Sequence, residues 1–321
     1  MKKLNLVTVA CFTVFLSCNT NKNVVATNSL EVINNIKEVN YIPYYLKVVE
    51  ADSLHIVGNY KKSQLILDSL FNKFEPLNQE SYGEYITYLK NRILLNDLKN
   101  VDKVLKRAIQ DFGFKVEYCL KDTLIIKVVK KSKYKEQDLN GFYDNYVKSL
   151  NLEYRFAIEK MMENDQRVRK AVPREKEDWK KVDTENAENI KLLIAKYGYP
   201  SIKKIGRYNF SNKSANVDIL FNHSTTEAKE SYILDLMYDA LKKGECEPED
   251  YGTVYDKYLM VNGKYGDKVL YGQIRNRKKS IDMVVVNPKK IDSTRKSIGL
   301  EHLEYKRWKI KKSAGIDIND M

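Results

Sequence analysis

Four cysteines and three histidines in 321 residues limit the chemistry open to this chain. Cys119 and Cys246 stand 127 residues apart, and neither lies at metal-site spacing from a histidine. Cys246 sits between Glu245 and Glu247, and flanking carboxylates disfavour the thiolate that a nucleophile needs. In the second half of the chain the imidazoles are those of His223 and His302, too few for a histidine-rich metal centre. There is no Gly-x-Ser-x-Gly elbow, phosphate loop or dinucleotide-binding glycine pattern. The residues therefore call for no metal and no cofactor.

Cys18 has the clearest chemistry. Met1-Lys2-Lys3 is basic, Leu4 to Leu16 is mostly apolar, and Ser17 is a small residue directly before Cys18. The apolar run has the length of a secretory signal and is too short to span a bilayer. The arrangement resembles a bacterial lipobox, with Phe15 where Leu is commoner. The resemblance implies cleavage before Cys18 and more than one acyl chain on the new terminus, enough for stable anchoring. Residues 1–17 are then a signal peptide, and 18–40 a lipidated terminus and tether. The tether lacks an acidic surface-export cluster, which points to the periplasmic face of the outer membrane.

The formal charge is +13, or +11 once Lys2 and Lys3 are gone, and the basic residues are dispersed. An envelope location and the lack of a binding motif argue against nucleic acid as a partner. The expected partners are the membrane, through the anchor, and an envelope protein or peptide. The oligomeric state is not indicated. An oxidising envelope permits disulfides, so pairing of Cys119 with Cys246 stays open, although an expected domain boundary separates them.

Residues 41–165 read as paired helices. An apolar stripe through Tyr45, Val48 and Val49 stops at Gly58-Asn59-Tyr60, and a second follows through Ser63, Leu67 and Leu70. The pattern returns at an offset of 38: Asn96-Asp97-Leu98, then Val101, Leu105 and Ala108. This resembles tetratricopeptide helix pairs with a longer loop around Pro76-Leu77-Asn78, Ala51 providing the small residue where two helices approach. Two repeats bury too little alone, so the segment through Phe142, Tyr146 and Leu150 is expected to cap them. Between them, 115–130 is β-branched enough for a hairpin and equally compatible with helix. The charged stretch 166–182 reads as a linker. Residues 183–312 are expected to form an α+β domain. Its first helix would be capped by Asp183 or Thr184, and its hairpin would pair Lys268 to Ile274 with Ser280 to Val286. Residues 313–321 read as a tail. The fold class is thus mainly α with a small β-hairpin.

Trp179, Asn186, Tyr197-Gly198-Tyr199-Pro200, Gly206, His223, Asp256, Tyr271-Gly272-Gln273, Arg295 and Ile298-Gly299-Leu300 occur in the order of a bacterial domain family of unknown function, which the region 160–305 resembles. Asp165-Gln166 and Arg169 resemble the entry to that domain. Tyr199 stands where the family has Trp, Lys257 where it has Arg, and a Thr is missing between Gly272 and Gln273. The resemblance brings no activity with it. It does pick out Asn186, His223, Asp256, Gln273 and Arg295 as polar groups able to move protons or bind an anion, if the fold brings them together. Structural roles are open to each of them: His223 as a helix cap, Asp256 paired with Lys257 or Arg295, Gln273 at a strand edge. The leading function is a protein- or peptide-binding module. The alternative is an envelope hydrolase or ligand-binding domain, with His223 as base and Arg295 holding an anion.

Overall fold

Helix α1 (Ile42–Ile56) and helix α2 (Tyr60–Phe71) form the first antiparallel pair of a computed structural model. The structure describes residues 39–314, apart from 172–175, 209, 212, 229–230, 267, 277–280 and 283. The expected signal, Cys18 and nearly all of the expected tether lie outside the described residues. Pro43 starts α1, where its missing N–H costs nothing. Gly58 ends it in the left-handed region (φ +79°), with Gly58 N–H donating to His55 O and Asn59 N–H to Leu54 O, 2.8 Å.

The same termination recurs 38 residues later. Helix α3 (Glu84–Leu94) ends at Asn96 (φ +57°), with Asn96 N–H donating to Ile93 O and Asp97 N–H to Arg92 O, 2.9 Å. Helix α4 (Val101–Gln110) follows, and Val101, Leu105 and Ala108 are buried, as are Ser63, Leu67 and Leu70 on α2. Ala51 is buried where α1 meets α2, and its carbonyl accepts from Ser63 Oγ at 2.7 Å. Asn91 Nδ2 donates to the same Ser63 oxygen and Asn91 Oδ1 meets His55 Nδ1, so one polar relay ties α1, α2 and α3 together.

The 115–130 region is helical: α5 (Val116–Lys121) and α6 (Ile125–Lys131). Its buried residues are Val116 with Cys119, and Ile125 with Val128. That three-residue spacing belongs to helix faces, not strands. Asp122 Oδ1 accepts from the Leu124 and Ile125 N–H groups at the start of α6. Helix α7 (Glu136–Ser149) packs on α4 and covers the second pair.

Residues 166–182, expected as a linker, hold the end of helix α8 (Leu152–Lys170) and the start of helix α9 (Lys176–Tyr197), which pack on each other. Asp183 therefore lies inside α9 and does not cap it. Then come α10 (Ile202–Ile205), α11 (Val217–Ala228), α12 (Tyr232–Lys243) and α13 (Pro248–Val261). After a short 3-10 turn, α14 (Ile291–Lys296) and α15 (Tyr305–Ala314) finish the described chain. The last helix was not foreseen, and it overlaps the start of the expected tail. No described helix is long and apolar enough to cross a membrane.

The chain is mainly helical, and the expected α+β domain is not seen. In place of the hairpin, two residues on each side pair, β1 (Arg275–Asn276) with β2 (Ile281–Asp282). The cause is competition for backbone donors. Asp256, fully buried on α13, accepts from the N–H groups of Leu270, Tyr271 and Gln273, leaving none of them for a strand partner. Gly272 is left-handed (φ +67°), which further breaks the extended run. Among the described residues, Val269 bridges to the expected second strand, bonding to Val284 and Val286.

Residues from Val39 onward make one compact unit. Its larger core joins Tyr44, Tyr45 and Leu67 of the first helix pair to Ile190, Phe221, Met237 and Leu300. A second core lies among α3 to α7, around Leu89, Leu105, Ile109 and Leu139.

Candidate functional site

The five residues singled out from the sequence do not converge. His223 belongs to one cluster and Asp256, Gln273 and Arg295 to another, while Asn186, buried on α9, has no hydrogen-bond partner for its Nδ2 among the described residues.

In the first cluster, helix spacing does the positioning. Asp165 and Arg169 are one turn apart on α8, Asp183 lies on α9, and His223 comes from α11. His223 Nδ1 meets Asp165 Oδ1 at 2.7 Å. Arg169 reaches the same oxygen at 2.6 Å and both oxygens of Asp183 at 2.7 Å, while Gln166 Nε2 donates to Asp165 Oδ2. Trp179 lies against the Arg169 guanidinium, 5.8 Å from its ring centre. Asp165 and Asp183 are buried, and burial raises the Asp183 carboxyl despite Arg169.

A carboxylate on Nδ1 holds an imidazole in the tautomer whose Nε2 is an acceptor, and the His223 side chain is 26% exposed. The pair can therefore take a proton at the surface. Asp165, Asp183 and His223 also converge closely enough to invite a metal. Arg169 already lies between the two carboxylates and supplies their counter-charge, so the donor set fits a guanidinium better than a divalent ion. His223 is not the helix cap that its position near an apolar run allowed. Asp165, Arg169 and Asp183 were missed as site residues. Their only sequence signal was the resemblance at Asp165-Gln166 and Arg169, because nothing in the spacing links α8 to α9 and α11.

The second cluster is internal. Arg295 is 1% exposed, donates through Nε to Glu301 O at 2.6 Å, through Nη2 to Glu301 Oε1 at 3.2 Å, and through Nη1 to Tyr271 O. With its amide turned so that the oxygen faces the guanidinium, Gln273 accepts from Arg295 at 3.0 and 3.1 Å. With Asp256 on the neighbouring N–H groups, these residues hold 270–273 in place. Leu303 packs within 3.0 Å of where a side chain on Gly272 would start. Arg295 and Asp256 are thus structural, and the anion-binding role expected for Arg295 is ruled out by its burial and saturation.

A third place was not foreseen. A cavity of about 570 Å³ lies among the loop after α2, the C-terminal end of α7, the start of α10 and the turn between α12 and α13. A second cleft of about 410 Å³ shares Tyr146 and Arg207 with it. The loop wall is rigid. Glu84, buried at the start of α3, accepts from Tyr44 Oη (2.7 Å) and from the Asn78 and Gln79 N–H groups (2.6 and 2.8 Å). Burial raises the Glu84 carboxyl, although these three donors pull it back down. Arg207 holds the same loop from the other side, through Asn78 O at 2.9 Å and Glu80. Gln79 is 2% exposed, and both polar atoms of its side-chain amide lack a partner among the described residues. A buried amide left unmatched is costly, and both of its atoms are closed off from the cavity space.

Neither a family model, nor a curated protein, nor a solved structure matches the chain.

Proposed function

We propose that the chain is an envelope lipoprotein, anchored through Cys18, whose folded body binds a protein or peptide segment. The observation that carries the binding reading is the cavity of about 570 Å³, walled by a loop that Glu84 and Arg207 hold by hydrogen bonds. A cavity of that size suits a small ligand or a short segment of chain. The tetratricopeptide-like arrangement of α1 to α4 supports the reading, since such helix pairs bind more often than they catalyse.

Full-length protein in mild detergent, incubated with a soluble peptide library of mixed lengths, should retain a subset identifiable by mass. Ser149→Trp, which fills the cavity from its wall, should lose that subset. Equal recovery on both proteins, or none on either, would defeat the binding reading. For the anchor, a metabolic acyl-chain probe should label the wild type and leave Cys18→Ser unlabelled. Label on the variant would remove the anchor from the proposal.

A second reading is a hydrolase acting on an envelope amide or ester, supported by the His223–Asp165 pair alone. It expects hydrolysis of an activated ester that disappears in His223→Gln while the fold is kept. Equal rates in the two proteins would end it.

A further inference from the structure

We infer that the turn between α3 and α4 docks on the surface of an anionic phospholipid bilayer, its leucines in the interface and the lysines beside it on the head groups. This surface is separate from the cavity of the proposed binding function and does not depend on it.

The turn is apolar where it faces solvent. Leu94, Leu95 and Leu98 are 38%, 38% and 36% exposed. Single exposed leucines are ordinary, but a group of them on one turn marks a contact surface. The turn is also held in shape. Asn96 and Asn100 are both left-handed (φ +57°), and Arg92 Nη2 pairs with Asp97 at 3.0 Å and donates to Lys99 O. A fixed backbone therefore presents the three leucines.

Leu98 also lines a cleft of about 470 Å³. The cleft is buried or half-buried at Ile93, Val101 and Val128, and it carries Lys103 of α4, Lys127 and Lys131 of α6, and Lys133 just beyond. All four lysines are exposed, and none has an ion-pair partner among the described residues. One acid lines the cleft, Asp102, in the first turn of α4, where the helix amides favour a negative charge. Two other acids of these segments are matched, Asp97 by Arg92 and Asp122 by Lys90 at 2.7 Å. The lysines come from different elements, which is why they look dispersed along the sequence. Packing of α3 on both α4 and α6 gathers them.

Leucines and lysines together select the occupant. An acidic peptide would answer the lysines and leave the leucines in water. An apolar peptide would do the reverse. A bilayer containing anionic lipid presents negative head groups directly above acyl carbon, so it answers both, and each lysine near such a surface adds attraction. The proposed anchor permits this approach. His55, at the end of α1, meets Asn91 one turn before Leu94, so the leucine turn lies at the far end of α1 from Ile42, about 22 Å along that helix. The chain from Cys18 to Asn40 can span about 70 Å when extended, which leaves this end free to reach the membrane.

The test uses the compact unit from Val39 onward, which carries neither Cys18 nor the apolar N-terminus. Its co-sedimentation is measured with vesicles of phosphatidylcholine alone and of phosphatidylcholine mixed equally with phosphatidylglycerol. The protein should bind the mixed vesicles and not the neutral ones, and added salt should weaken that binding. Replacing Lys103, Lys127, Lys131 and Lys133 together by Gln should weaken it on the order of several hundredfold, at about fivefold for each lysine. Leu94→Ser, Leu95→Ser and Leu98→Ser together should weaken it about tenfold or more. Leu98→Trp should add an emission that shifts to the blue on the mixed vesicles and is quenched by brominated acyl chains. All of these positions are exposed, so circular dichroism should show the fold kept in every variant. Equal binding to the two vesicle types, or none to either, would overturn the docking surface. So would full binding by the lysine or the leucine variant, or an unshifted emission from Leu98→Trp.

Discussion

Arg295 and His223 entered as members of one expected site, yet their surroundings separate them. Arg295 has its donors on Tyr271 O, Glu301 and Gln273, all inside the protein, so its removal leaves a buried carboxylate at Glu301 without its counter-charge. Arg295→Ala should cost about 3–5 kcal/mol, the scale for breaking a buried ion pair from one side. Chemical denaturation would measure it; a loss under about 1 kcal/mol would show that the guanidinium is not what holds 270–273. His223 differs because its side chain is 26% exposed, while Arg295 is buried with its donors on groups inside the protein.

At the scale of elements, the junction of α10, α11 and α13 stores a pH response. Asp218, Glu247 and Asp250 gather around a small cavity with Tyr199 and Tyr208, and Tyr208 Oη donates to Asp250 at 2.9 Å. Burial pushes Asp218 up to about 6 and Glu247 up to about 7, and burial plus the two neighbouring carboxylates raises Asp250 well above its usual range. Each folded-state pKa exceeds the unfolded one. The native state therefore holds protons that the unfolded chain has released, and the stability from this junction is complete below about pH 4 and drains away as pH rises through 6 to 7. The melting temperature should fall between pH 5 and pH 8, and Asp250→Asn should flatten the fall while keeping an acceptor for Tyr208. A wild-type melting temperature constant over that window would contradict the arrangement.

For the whole molecule, the first helix pair belongs with the C-terminal helices. Tyr45 Oη donates to Leu241 O and Cys246 O, both at 2.9 Å, and its ring lies within 3.0 Å of where a side chain on Gly299 would begin. Tyr44, Val48 and Leu67 share a core with Ile190, Phe221 and Val254. A chain beginning at Met161 would leave that core open on one side and is expected to show no cooperative thermal transition by circular dichroism. A cooperative transition would mean that the C-terminal helices suffice for their own core. Cys119 and Cys246 are both free and buried, Cys119 among α3 to α7 and Cys246 in the larger core, so no disulfide reinforces the joint.

What the sequence determined by itself is local. The 38-residue repeat was legible down to the hydrogen bonds that end α1 and α3, because helix termination depends on a left-handed residue and its next few neighbours. The buried stripes of α2 and α4 followed from helical spacing for the same reason. Tertiary structure decided everything that required distant groups to compete or meet. The run from Lys268 to Ile274 read as a strand, but Asp256 on a neighbouring helix took the N–H groups a strand needs, and no local pattern records that. The charged run at 166–182 looked like a linker, but part of its charge is internal: Arg169 is matched by Asp165 on its own helix and Asp183 on the next. The cavity at Gln79 left no trace in the sequence either. A cavity is defined by which elements meet in space, and only the packed chain brings α7, α10 and the turn after α12 around one loop.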